Sequence, residues 1–376
     1  MVNPVRGVLC AAMAFGILAP ALSAGAQSFT PETVFVMSNN VSQNQVIAFQ
    51  SEPNGNFQEQ NRYDTLGRGT GGVNDPLESQ GSLTLSQDHS LLFAANAGSS
   101  EITVFRVLGN RLLFVDKQPS GGAQPVSFAQ SGSTLYVLNS GGAGSVVAFH
   151  ITPFGSLQQI SNSTQFLSAN ATGGASISVS PDGRSVAVVE RLANNIDIFH
   201  ANANGTLSPA VVNPSPGAGA FSARFDLAGN LIVSETGPAT ATDGSAISSY
   251  TVQANGSLTP ITQSLSADGG ANCWNAISPN GKDVYVSNAG TSTIAGFTIG
   301  QGGALAPIDG TIVGSNPSGS TNLDITISSD GKFLFSLNGE VGTVGVFAIR
   351  PDGSLEELTQ ASGLPSAAGV NGIAAL

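Results

Sequence analysis

A unit of about fifty residues recurs seven times along this chain, and no other feature restricts its fold so severely. The unit opens with an alternating apolar strand, passes a tight turn and enters a second strand that ends in Asn or Glu. A loop, a third strand closing on an aromatic residue, and a turn of the type x-Gly-x-Leu complete it. The second-strand ends and third strands read NNVSQNQVIAF (39–49), NAGSSEITVF (96–105), NSGGAGSVVAF (139–149), ERLANNIDIF (190–199), ETGPATATDGSAISSY (235–250), NAGTSTIAGF (288–297) and NGEVGTVGVF (338–347). The closing aromatics Phe49, Phe105, Phe149, Phe199, Tyr250, Phe297 and Phe347 stand 44 to 56 residues apart, the length of a four-stranded blade with its loops. One large ring at the same place in every unit supplies apolar area to a layer shared between neighbours. The repeat therefore predicts an all-β fold, a seven-bladed β-propeller.

The punctuation agrees with the period. Pro181-Asp182-Gly183, Pro279-Asn280-Gly281 and Ser329-Asp330-Gly331 each lie between two alternating runs, where Asp-Gly or Asn-Gly supplies the positive φ of a hairpin. Gly55, Gly155, Gly205, Gly256, Gly303 and Gly353 mark the second hairpin, worn to Gly109-Asn110-Arg111-Leu112 in one unit. The repeats start on a second-type strand, Thr33 to Met37, and finish on Asn371 to Leu376, which reads as a first-type strand without its successor. Both ends are thus expected in one blade, closing the ring without a free seam.

Residues 1–26 read as a signal peptide and 27–376 as the propeller. Arg6 precedes the apolar run Val8 to Leu22, and Ala24 and Ala26 give the small-residue spacing of a cleavage site before Gln27. The run is short for an uncleaved anchor helix. This predicts a secreted protein, extracellular or periplasmic. Cys10 would leave with the signal, so Cys273 could form no internal disulfide and the fold must be held by its core. Lys and Arg total 12 against 24 Asp and Glu, a net charge of −12 without a basic patch. Such a surface disfavours nucleic acid and anionic membranes alike. A monomer that acts on a small molecule or a glycan is expected.

In such a blade the short, stereotyped hairpins share one face. The loops after the second strand and the links between blades share the other, and vary in length and content, which is where binding groups concentrate on a rigid scaffold. That face carries Asn39, Asn96, Asn139, Glu190, Glu235, Asn288 and Asn338 at equivalent positions, together with Asp75, Glu78, Arg224, Asn272, Cys273, Trp274 and Asp324 from the links. An Asn at a strand end is suited to capping a turn. Glu190 and Glu235 break the Asn series, and Trp274 is the one tryptophan. Cys273 has no histidine near it in sequence and suits a small buried apolar residue. His89, His150 and His200 lie away from this face, and no spacing suits zinc, so neither metal nor cofactor is expected. Gly67, Gly69 and Gly72 match a dinucleotide pattern in spacing alone, without the flanking strand and helix.

The stretches SVSPDGRSVAVVERLANNIDIF (178–199), ISPNGKDVYVSNAGTSTIAGF (277–297) and ISSDGKFLFSLNGEVGTVGVFAIRPDGSLEEL (327–358) resemble the seven-bladed lactonase family, which includes propeller-type 6-phosphogluconolactonases and carboxymuconate-cyclase relatives. The resemblance covers nearly all of residues 33–376 and implies a lactone hydrolase. Phosphogluconolactonase-type members carry a His-x-His and an Arg-His pair. Here the matching stretches are Gly173-Gly174-Ala175-Ser176 and Phe221-Ser222-Ala223-Arg224, so the implied substrate is a lactone without a phosphate. Ring opening needs a base for water and a donor for the oxyanion. Glu190 or Glu235 is the expected base and Arg224 or Asn272 the donor, with Asn96, Asn139, Trp274, Asn288, Asp324 and Asn338 around the substrate. The alternative is a non-catalytic propeller that displays its polar loops to a glycan, a cell-wall component or a protein.

Overall fold

The computed structural model describes Met1, Val2 and residues 31–376. The expected cleavage site lies outside the described residues. The unit Pro31–Leu376 forms seven antiparallel sheets, counted among the described residues, with strands ordered by sequence in six of them. The remaining sheet is the closure. Ile373–Ala375 pairs with Thr33–Met37, which pairs with Gln45–Ser51 and then Phe57–Asp64, and Phe35 faces Ala374 in the joining register. We number this blade 1 and the others 2 to 7 along the chain. Their innermost strands are Leu83–Leu85, Ala123–Ser131, Gly174–Val179, Ala220–Phe225, Asn272–Ile277 and Asn322–Ile327.

The hairpins are held by side chains that close the turn from within. In blade 4 Ser180 Oγ donates to Asp182 Oδ1 at 2.6 Å, the Arg184 amide donates to the same oxygen, and Gly183 follows with φ +71°. Ser278 with Asn280 and Ser328 with Asp330 repeat the arrangement. Each carboxylate or amide thereby satisfies backbone donors that a two-strand ladder leaves open.

Between the blades the seven closing aromatics are all buried. Phe49 of blade 1 shares a cluster with Leu334, Phe335 and Phe347 of blade 7, and Phe105 of blade 2 joins Ala48 of blade 1 and Phe128 of blade 3. Burying each such ring contributes about 1.5–3 kcal/mol, so the ring of blades is held chiefly by these layers.

The central channel is not open. The link between blades 1 and 2 sends Ser79-Gln80-Gly81 across it. Ser79 Oγ donates to Val126 O of blade 3 and its carbonyl accepts from Trp274 Nε1 of blade 6, at 3.0 and 2.8 Å. The Gln80 amide donates to Ala175 O of blade 4, its carbonyl accepts from Ser127 Oγ, and its Nε2 donates to Asn275 O and Asp324 Oδ1 of blades 6 and 7. This link plugs the channel and ties four blades that are distant in sequence.

Candidate functional site

Above that plug, on the face of the variable loops, lies a cleft of about 310 Å³ lined by Asn74, Asp75, Glu78, Arg191, Phe221 and Cys273, with Gly219, Ala220 and Thr236 at its edge. The link that forms the floor also supplies the acids. Asp75 and Glu78 take positive φ, +37° and +47°, a conformation that turns the chain sharply before it enters the channel. Asp75 Oδ1 accepts from Asn371 Nδ2 at 2.7 Å, and Asn371 Oδ1 accepts from Ser82 Oγ, so the closing segment of blade 1 fixes the acid. Glu78 pairs with Arg191, which follows the second strand of blade 4.

Burial raises the Asp75 carboxyl to about 7, and the charge of Asp324 adds to the effect while Arg191 and Asn371 oppose it. Asp324 itself is raised to about 6 by burial, against the opposing charge of Arg224 and the Gln80 amide. Burial also pushes the Cys273 thiol up, with the Asp75 charge in the same sense. The thiol is therefore protonated and a poor nucleophile at neutral pH. A half-buried carboxyl that titrates near neutrality, beside a guanidinium, can exchange a proton with a bound molecule.

The residues singled out in the sequence fall into two groups. Asp75, Glu78 and Cys273 meet in the cleft, with Asp324, Arg224 and Trp274 in the layer around the plug. Trp274 is buried, its indole donating to Ser79 and its ring edge-on to Phe221 at 5.3 Å, so it builds the cleft wall from beneath.

The strand-end ring is buried as well and is used between strands. Asn39 bonds Thr70 and Gly369, and Asn96 donates to Thr103 and accepts from Asn44 and Thr65. Asn139 donates to Ser120 O, Asn272 to Ala246 O, Asn288 to Ala267 O, and Asn338 to Asn316 and Gln360. Glu190 accepts from the Ser168 amide and hydroxyl at 2.7 and 2.5 Å, and Glu235 from Ser248 and Ser264 at 2.5 and 2.7 Å. Both glutamates thus replace the Asn in a lock, Glu190 holding the link that leads from blade 3 into blade 4 and Glu235 holding the third and fourth strands of blade 5. Neither bonds Arg224, whose guanidinium approaches Gly81 in the channel. Glu235 also borders a separate cleft of about 290 Å³ with Pro216, Gly217, Pro238 and Ser245.

Arg191, Asn371 and Gln80 were not singled out in the sequence. Arg191 did leave a signal: after the strand-end residue the other six units place Asn40, Ala97, Ser140, Thr236, Ala289 and Gly339, and a long cation in that series departs from the repeat.

The comparisons with known proteins accord with the seven-bladed fold. The family described as "Lactonase, 7-bladed beta-propeller" matches residues 29–165, 128–271 and 235–371. The chain belongs to this seven-bladed propeller lactonase family. Among solved structures it is similar to the periplasmic gluconolactonase of Pseudomonas aeruginosa, at 19% identity over 91% of this chain and 99% of that one, with a TM-score of 0.65. It is also similar to a Bacteroides uniformis protein put forward as a 6-phosphogluconolactonase, at 18% identity over 92% and 99%, TM-score 0.69. A protein from Lactobacillus plantarum gives 17% identity over 92% and 100%, TM-score 0.71. At these identities the likeness is one of fold. No curated protein sequence matches the chain.

Proposed function

We propose that this protein hydrolyses a lactone in the cleft at the channel mouth, with Asp75 as general base and Arg191 as the donor to the carbonyl oxygen. The observation that carries the reading is the meeting of these two side chains in one blind cleft of a lactonase-family propeller. Asp75 takes a proton from water as the oxygen attacks the lactone carbonyl. The guanidinium of Arg191, steadied by Glu78, stabilises the oxyanion. The C–O bond of the ring then breaks, and the alkoxide leaving group recovers the proton from Asp75 to give the hydroxy acid.

The substrate in this reading is uncharged. Asp75 and Glu78 face a single guanidinium that Glu78 already holds, so a phosphate would meet two acids and no free cation among the described lining residues. An exported protein is part of the same proposal, supported by the Ala24–Ala26 spacing, and the mature chain is expected to begin at Gln27 when its N-terminus is sequenced.

The test is hydrolysis of neutral sugar lactones and aromatic lactones by wild type, Asp75→Asn, Glu190→Gln and Glu235→Gln. Asp75→Asn should lower kcat/KM by roughly 10²–10⁴. Glu190→Gln and Glu235→Gln should retain turnover, because their carboxylates are taken by serine donors. A loss confined to Glu235→Gln would move the chemistry to the neighbouring cleft. No turnover by wild type on any lactone would favour a binding propeller.

A further inference from the structure

We infer that the channel beneath the plug is a binding site for a small monocarboxylate, held by the guanidinium of Arg224 with the hydroxyl of Ser178 as a second donor. The site lies on the far side of the plug from the mouth cleft, so its occupancy and the hydrolysis reading stand or fall separately. It becomes visible at one level of the ring, where each innermost strand pairs with the residue three before the strand-end Asn or Glu. There blades 2 to 7 place Thr84, Ala129, Ser178, Arg224, Ala276 and Thr326, and blade 1 places Ile373. One long cation thus enters a space that mostly small side chains leave open. Thr84, Arg224, Ala276 and Thr326 are each partly exposed, so water reaches this level from the hairpin face.

The cation lacks a contact partner. Its guanidinium forms no ion pair among the described residues. It lies against the underside of the plug, where a Cβ on Gly81 would stand 3.7 Å from Arg224 Nη2, 3.6 Å from Thr84 Oγ1 and 3.1 Å from Ser127 Oγ. Asp324 of blade 7 opposes its charge from a distance, but that carboxylate is engaged elsewhere, its Oδ1 accepting from Gln80 Nε2 and the Ile325 amide, both at 3.0 Å. An unpaired guanidinium in so enclosed a place is costly unless a counter-ion joins it. A second donor stands at the same level. Ser176 Oγ accepts from the Ala223 amide, so this face of the blade 4 strand looks toward blade 5, and Ser178, two residues on, shares it. Ser178 is 5% exposed and its hydroxyl has no hydrogen-bond partner among the described residues. Arginine presents two parallel N–H groups at the spacing of a carboxylate's oxygens. Asp324 penalises a second negative charge and the plug closes the channel above, so the ligand is singly charged and short.

The experiment reads the arginine side-chain Nε–H signals by ¹⁵N NMR, with Arg224→Lys assigning the Arg224 signal. The protein is titrated with sodium formate, acetate, chloride or sulfate at constant ionic strength. The Arg224 signal should move saturably with formate and acetate, and chloride and sulfate should bind about tenfold more weakly or less. Ser178→Ala should weaken formate binding by roughly tenfold. Formate should also raise the melting temperature of wild type but not of Arg224→Met, which loses the charge that needs a counter-ion. Arg191→Gln should leave the formate response of Arg224 intact. An Arg224 signal that ignores all four anions would mean that channel water serves the guanidinium, and would overturn the inference even if Arg224→Met fails to fold. Chloride matching formate would overturn the carboxylate assignment, and a response lost in Arg191→Gln would move the binding to the mouth cleft.

Discussion

At Asp197 a carboxyl lies inside blade 4 with both oxygens lacking a hydrogen-bond partner, next to the buried Glu190. Burial, then the charge of Glu190, raises it to about 8. An unfolded Asp titrates near 3.9, so the folded form holds a proton that the unfolded form has lost over that whole window. Its stabilising proton is fully present below pH 4 and is lost as pH rises toward 8. Asp197→Asn should therefore raise the melting temperature at pH 8 and leave it unchanged at pH 4; an equal shift at both would contradict this account. The strand-end ring of Asn and Glu was legible only in part. Its equivalence around the blades was legible, but whether such a side chain faces solvent or a fourth strand depends on partners such as Ser264 and Gln360. Gly217 shows how tight that packing is, since a Cβ there would run into the Glu235 carboxylate.

Among the elements, the two that matter most are short. Ile373–Ala375 is a three-residue strand, yet Val370 and all three of its residues are buried. Removing residues 365–376 would expose the inner edge of Thr33–Met37 and forfeit roughly 5 kcal/mol of apolar burial. A fall in melting temperature of roughly 10 °C is expected, read by circular dichroism. An unchanged melt would refute closure through this strand. Its place was legible because an unfinished unit at one end of the repeats matched the missing strand at the other. The 74–81 link was not legible in this way. It has no periodicity, and its path is set by bonds to blades 3, 4, 6 and 7 that exist only once the ring has formed.

For the whole molecule, buried acids and exposed ones pull stability in opposite directions with pH. Asp75, Asp324 and Asp197 are raised to about 7, 6 and 8, chiefly by burial. Each holds a proton in the folded state that the unfolded chain loses near pH 4, so stability declines as pH climbs from 4 through 8. Asp88, Asp182 and Asp352 are lowered by serine hydroxyls in their turns, Asp88 to about 2, and their contribution is lost as pH falls below 4. The melting temperature should thus peak near pH 4–5 and drop toward pH 8; a flat profile between 5 and 8 would argue against these buried protons.

The sequence by itself determined the ring. Turn chemistry and period-2 alternation are local, and a fifty-residue unit written seven times leaves one architecture that buries every closing aromatic and leaves no open seam between blades. Only the tertiary structure decided the site. Asp75, Arg191, Cys273 and Asn371 come from four parts of the chain, and the link that gathers the first of them departs from the repeat. Its position follows from hydrogen bonds across the channel between residues up to 244 apart, which no local pattern encodes.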